Sequence, residues 1–165
     1  MIIRDERPEE INAIYDLTQT AFAPMSYSDG SEGGIIDALR ADNALTLSLV
    51  AIEGDEIIGH VAFSQVMVDG QDGPWFGLGP VAVAPAHQCQ GVGSALIRTG
   101  LERLKGMDAA CVFLLGNPDY YARFGFQAVE TLWYGDRPSP YFQRLVLSGA
   151  EPRGQVVFHT AFECS

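Results

Sequence analysis

Three groups of residues in this sequence have the types and spacing to do chemistry. The first is Gln88-Cys89-Gln90-Gly91-Val92-Gly93-Ser94, which follows Val81-Ala82-Val83-Ala84-Pro85 and opens an amphipathic run. The first N–H groups of a helix lack intrahelical partners and carry the positive end of its dipole. Glycines let an anion approach them with no Cβ in the way. This stretch is therefore suited to cradle a phosphate or pyrophosphate. The second group is Asn117-Pro118-Asp119-Tyr120-Tyr121-Ala122-Arg123-Phe124-Gly125-Phe126, which sets two adjacent phenols on a short helix closed by glycine. The third is His60, an imidazole inside the apolar run Ile57-Ile58-Gly59-His60-Val61-Ala62-Phe63 and a candidate proton acceptor.

Two familiar phosphate loops do not fit. The dinucleotide fingerprint needs a third glycine where Leu96 stands. The P-loop ends in Gly-Lys-Ser/Thr, and no lysine lies near Gly93. What remains is Gln-x-x-Gly-x-Gly after a Val-x-Val strand, set by Gln88, Gly91 and Gly93. That pattern resembles the acetyl-CoA pyrophosphate loop of the GNAT superfamily of N-acetyltransferases. The second group resembles that family's Asn…Tyr-x-x-x-Gly-Phe segment, with Tyr121 in the place of the family tyrosine and Gly125-Phe126 as the closing pair.

The resemblance implies acetyl-CoA as acyl donor and direct attack by an amine through a tetrahedral intermediate. It implies that Val81, Ala82 and Val83 pair with the pantetheine amides. Gln88, Cys89, Gln90, Gly91, Val92, Gly93 and Ser94 would hold the pyrophosphate. Asn117, Tyr120 and Phe124 would lie beside the cofactor, and Tyr121 would protonate the leaving thiolate. Two departures stand out. Many relatives carry Arg or Lys in the loop, where this chain has Gln88, Cys89 and Gln90. Many also carry a carboxylate on the preceding strand, and Trp75-Phe76-Gly77-Leu78-Gly79-Pro80 has none.

The missing carboxylate matters because a lysine-like amine, with a pKa of about 10.4, is neutral in only about one part in a thousand at neutral pH. A proton must therefore leave through a side chain or through water. Candidates are His60 on the strand before, or Asp29, Glu32 and Asp136 on loops, and the expectation is that none is an obligatory base. The leaving thiol, with a pKa of about 8.5, needs little help from an acid. Tyr27, Trp75, Trp133 and Tyr134 are candidates to line an acceptor pocket.

Elements must position these groups. Ile2-Ile3 starts a strand. After Pro8, a helix presents Ile11, Ile14, Tyr15, Thr18, Ala21 and Phe22 on one face and ends at Pro24. A second helix is predicted from Glu32 to about Arg40, weakened at its start by Gly33-Gly34. Strands follow at Thr46–Ile52 and Glu56 to about Val68, with Gly54-Asp55 as the turn. A turn at Gly70–Pro74 leads to a third strand, Trp75–Val83, whose internal glycines suggest a bulge or a close backbone approach. Ser94 opens the central helix, with Gly93, Leu96, Ile97, Gly100, Leu101 and Leu104 on one face.

The apolar run Ala109–Leu115 suits a buried strand parallel to the third. A short helix, Asp119–Phe124, ends at Gly125, and a strand is expected at Phe126–Val129. Glu130–Pro140 reads as a loop, followed by a closing pair of strands at Phe142–Leu147 and Gln155–Thr160. The fold class is α/β (α+β). The resemblance makes it a mixed, mostly antiparallel sheet with a splayed strand pair and helices on both faces, in one domain over residues 1–165.

Composition narrows the function. The 165 residues carry a formal charge of −11, with 47% hydrophobic and 19% charged residues. A binder of nucleic acid or anionic membrane carries the opposite sign, so the acidity favours a neutral or cationic acceptor. No run is apolar enough to span a bilayer, and the charged start is unlike a signal peptide, which points to the cytoplasm. Cys89, Cys111 and Cys164 lack metal-ligand spacing and suit reduced thiols. The expected partners are acetyl-CoA and an amine, with no metal, and a homodimer stays open. The competing reading is an acyl-CoA-binding sensor without turnover.

Overall fold

Glycine placement and strand alternation account for most of the architecture. The computed structural model describes residues 1–163, so Cys164 lies outside the described residues. Strands β1 (Ile2–Asp5), β2 (Leu45–Glu53), β3 (Glu56–Val68), β4 (Gln71–Val83), β5 (Cys111–Leu115), β6 (Leu132–Tyr134), β7 (Phe142–Val146) and β8 (Gly154–Val157) form one mixed, mostly antiparallel sheet. The helices are α1 (Ile11–Phe22), α2 (Glu32–Ala41), α3 (Val92–Gly106) and α4 (Pro118–Tyr121). Strand order is β1-β2-β3-β4-β5-β7, with β8 joined to β3 and β6. The chain divides into two compact units, one of residues 1–64, 79–101 and 159 onward, the other of residues 65–78 and 102–158.

In the first unit, β1, β2 and the start of β3 pair antiparallel. Gly54, at φ 60, takes the tight turn between β2 and β3, where positive φ matches the twist of the strands. Val50 and Ala62 bury one sheet face against Ile14 of α1 and Ile36 of α2. The other face receives α3. A Cβ on Gly59 would lie 2.8 Å from Val92 and 2.9 Å from Leu96, so this glycine lets the start of α3 sit down on β3. Further along, Gly100 of α3 lies directly against the Phe63 ring. Gly33, read as a weakness, has a packing role of the same kind: a Cβ there would lie 2.8 Å from both the Tyr15 ring and the Gln19 amide.

The Gly100–Phe63 contact gives a stability prediction. Gly100→Ala drives a methyl into the Phe63 ring, and overpacking of that kind costs about 1–3 kcal/mol. Alanine regains only about 1 kcal/mol over glycine in a helix. Urea denaturation is expected to show a lower midpoint with an unchanged slope. An unchanged midpoint would mean that Phe63 swings aside freely.

In the second unit, β4 and β5 run parallel through Trp75↔Cys111, Phe76↔Val112 and Gly77↔Phe113, as the apolar Ala109–Leu115 run predicts. The β4–β5 ladder ends there, while β5 pairs along its full length with β7. A Cβ on Gly77 would meet Phe158 at 2.7 Å, so this glycine marks a close approach. The core gathers Val66, Val68, Cys111, Phe113, Leu132, Phe142 and Val156.

Several boundaries differ from the sequence reading. The turn before β4 is Asp69-Gly70, both left-handed at φ 51 and 74, so β4 starts at Gln71 rather than Trp75. Phe126–Val129 is no strand: Phe126 is buried and Gln127 makes a single bridge to Arg144. Residues 132–134, read as loop, form β6 because β8 pairs with them. β7 and β8 do not pair with each other. Tyr15 is partly exposed, its ring covering the buried Gly33. Helix α3 starts at Val92, which places Gly93 and Ser94 inside its first turn.

Candidate functional site

The glycine-rich loop lies wholly in the first unit. The amide N–H of Ala84 donates to Ile58 O at 2.8 Å and anchors the end of β4 on β3. Of the three residues before it, Ala82 is buried and Val81 and Val83 are half-buried. Residues Pro85–His87 form a single 3-10 turn, after which Gln88 returns to extended backbone. Its side chain folds back, Nε2 donating to Val83 O at 3.1 Å, and Gln90 Nε2 reaches Ala86 O at 3.4 Å. The two glutamines are therefore braces of the loop.

Cys89 at φ 62 and Gly91 at φ 87 both adopt left-handed backbone. They swing the chain into α3, whose first intrahelical bond runs from Ala95 N–H to Gly91 O at 3.0 Å. A Cβ at Gly91 would have nothing within 4 Å, so the turn is open on that side. An exposed turn that delivers glycine backbone to the positive end of a fifteen-residue helix can bind an anion without any cationic side chain. Cys89 is exposed within it, whereas Cys111 is buried and its thiol is pushed up to about 12 by burial.

The second group lies in the other unit. Asn117 caps α4, its Oδ1 accepting from Asp119 N–H at 2.9 Å. Residues Ala122–Phe124 continue as a 3-10 turn, and Gly125 closes it in the left-handed region at φ 97. The Tyr120 and Tyr121 rings meet edge to face at 4.9 Å, and Phe124 and Phe126 complete the knot around Tyr121. Arg123 stacks over Tyr120 with its guanidinium carbon 4.2 Å from the ring centroid. Tyr121 instead packs on Gly116, where a Cβ would approach its ring to 2.5 Å. The two phenols thus have different surroundings, and Tyr121 is the one set on the turn that follows β5.

His60 has 0% exposure on β3. Burial pushes its pKa down to about 4, so the ring is neutral at pH 7. Its Nε2 lies 2.7 Å from Ser48 Oγ on β2, and the Ser48 hydroxyl donates to Glu6. Glu6 in turn receives Arg40 through Nη2 at 2.7 Å and Nε at 3.0 Å. Burial of Glu6 opposes its ionisation, but hydrogen bonds from Arg40 and Ser48 outweigh it and hold the carboxyl below its ordinary value. Glu6, Arg40 and Ser48 were not singled out from the sequence. The signal was Ser48, a hydroxyl set between Leu47 and Leu49 in β2 at a position that shares a sheet face with His60.

Among the other candidates, Asp29 accepts from the Ser31 backbone and hydroxyl, and Glu32 accepts from Ser28 Oγ at 2.6 Å. Trp75 packs against the core of the second unit, Tyr134 lies against Phe142 and Phe158, and Tyr27 is 76% exposed.

The chain thus runs β-α-β through β4, α3 and β5, with a glycine turn at the start of the crossover helix and a tyrosine turn after the next strand. The family model described as "Acetyltransferase (GNAT) family" matches residues 11–126, and this chain belongs to that family. It is 38% identical to the Escherichia coli (strain K12) protein named "Uncharacterized N-acetyltransferase YhbS", with 98% of each chain covered. A Brucella melitensis GNAT acetyltransferase solved in complex with acetyl-CoA superimposes with a TM-score of 0.88 at 47% identity, covering 98% of this chain and 97% of that one. The Escherichia coli YhbS structure in complex with CoA also gives 0.88, at 33% identity, covering 98% and 91%. The chain is thus a GNAT N-acetyltransferase by family.

Proposed function

We propose that the chain transfers the acetyl group of acetyl-CoA to a primary amine of a small molecule or protein, acting as a single acetyltransferase domain. The observation that carries this reading is the left-handed turn of Cys89 and Gly91 delivering backbone to the start of α3. Relatives at 47% and 33% identity, solved with acetyl-CoA and with CoA, support the choice of donor. Residues Gln88–Ser94 take the pyrophosphate through backbone N–H groups, and Val81–Val83 take the pantetheine amides. Asn117, Tyr120 and Phe124 flank the cofactor. The amine attacks the thioester carbonyl, a tetrahedral oxyanion forms, and a backbone N–H near Val81–Val83 stabilises it. Collapse expels the thiolate, which Tyr121 protonates. The amine proton leaves to water, with His60 in a supporting role, since a ring held neutral to about pH 4 is a weak base. Cys89 and Cys111 are free thiols, which fits a reducing cytoplasm.

Thermal denaturation tests the ligand. Acetyl-CoA is expected to raise Tm, while NAD and ATP leave it unchanged. At a hundredfold excess over Kd the gain is about 2.7 kcal/mol. A flat response at millimolar acetyl-CoA overturns the reading. Release of CoA thiol with a panel of amines then separates an enzyme from a sensor, which would bind without turnover.

A further inference from the structure

The chain Arg40–Glu6–Ser48–His60 has a direction that its chemistry fixes. Glu6 receives two hydrogen bonds from the Arg40 guanidinium, which also takes Asp37 at 2.9 Å. A carboxylate clamped in this way only accepts. Ser48 has one hydroxyl proton and spends it on Glu6. The Ser48 oxygen can then serve His60 only as an acceptor, so the proton of the neutral ring sits on Nε2. The other nitrogen, Nδ1, is left as a bare lone pair. It is fully buried and has no hydrogen-bond partner among the described residues. Buried polar atoms of folded proteins almost always find a partner.

We infer that His60 Nδ1 is a built hydrogen-bond acceptor for a single N–H or O–H donor from outside the chain, and that Glu6, Ser48 and Arg40 are positioning residues that lock the tautomer presenting it. Two sources share that chemistry: an internal water molecule, and the amine of the acetyl acceptor. The second source rests on the acetyltransferase reading, and the tautomer does not. The design explains why a histidine on a buried strand is tied on one side to a charged pair. A histidine needed only for packing could take either tautomer; this one presents its lone pair permanently.

The experiment is ¹⁵N NMR of the imidazoles in the whole chain at pH 7, with His60→Gln to assign the signal. The expected result is a protonated Nε2 and an unprotonated Nδ1 that is shifted by hydrogen bonding. An Nδ1 signal that moves on adding n-propylamine identifies the amine as donor. A hydrogen-bonded signal that does not move identifies internal water, and both outcomes support the inference. Ser48→Ala is expected to release the lock and populate the Nδ1–H form, and Ser48→Thr to restore the original tautomer. A protonated Nδ1 in the wild type overturns the inference, as does an Nδ1 shift at the unbonded value with and without amine. The readout needs no turnover, so its failure is distinct from failure of the acetyltransferase reading.

Discussion

Gly91→Val is expected to abolish the acetyl-CoA-induced rise in Tm and to remove transferase activity, while the variant remains folded. Two effects act together. Gly91 sits at φ 87, a conformation that costs an ordinary L-residue roughly 1–2 kcal/mol and a β-branched one more. The new side chain also projects into the open side of the turn, where nothing lies within 4 Å of the Cβ position. In the proposed binding mode, that open side is where the pyrophosphate approaches the backbone. Because no cationic side chain from Gln88–Ser94 can compensate, loss of the backbone donors is loss of the site. Gly91→Ala separates the contributions, carrying much of the strain with little of the obstruction. Thermal shifts with acetyl-CoA, read beside the unliganded Tm of each variant, check this. A valine variant that keeps a normal shift would place the pyrophosphate elsewhere.

Tyr121→Phe is expected to lower kcat by about a hundredfold with little change in acetyl-CoA affinity. General acid catalysis is typically worth about 10²–10⁴-fold, and the low end applies because a thiolate leaves readily. Removing only the hydroxyl preserves the ring packing on Gly116 and within the Tyr120–Phe124–Phe126 knot. The effect should therefore fall on kcat rather than on binding or folding. Tyr120→Phe is the control, since its ring engages Arg123 and its loss of hydroxyl leaves that stacking intact. Steady-state kinetics with one working amine decides the matter. Equal and small losses at both positions would remove the acid role from Tyr121.

The parts of the fold that could be read from the sequence are those written in local chemistry. Strand β3 matches its expected limits because Gly54-Asp55 fixes the turn before it and a run rich in branched and apolar residues continues to Val68. Gly125 stops the α4 segment because a left-handed residue is needed there. The glycine turn into α3 was legible for the same reason, since glycines followed by an amphipathic run mark a turn and then a helix. Its helix begins two residues early because Val92 is buried against β3 at Gly59, a contact no local pattern contains.

What could not be read depends on partners distant in sequence. β6 is a strand only because β8 lies beside it, and Phe126–Val129 fails to become one because only Gln127 bridges Arg144. The environment of His60 was hidden in the same way. Its apolar neighbours announce burial, but nothing near it announces Glu6 or Arg40.

The Arg40–Glu6–Ser48–His60 chain also bears on the order in which the first unit assembles. Glu6 meets Ser48 across 42 residues of sequence and Arg40 across 34. Such closures carry an entropic cost that local turns do not. The Gly54 hairpin brings His60 to Ser48 over only 12 residues and is expected to form first. The carboxylate of Glu6 then arrives as a late fastener. Interactions absent from the folding transition state act mainly on the rate of unfolding. This ion-paired fastener is therefore expected to set how long the assembled unit stays shut, with little influence on how fast it first closes.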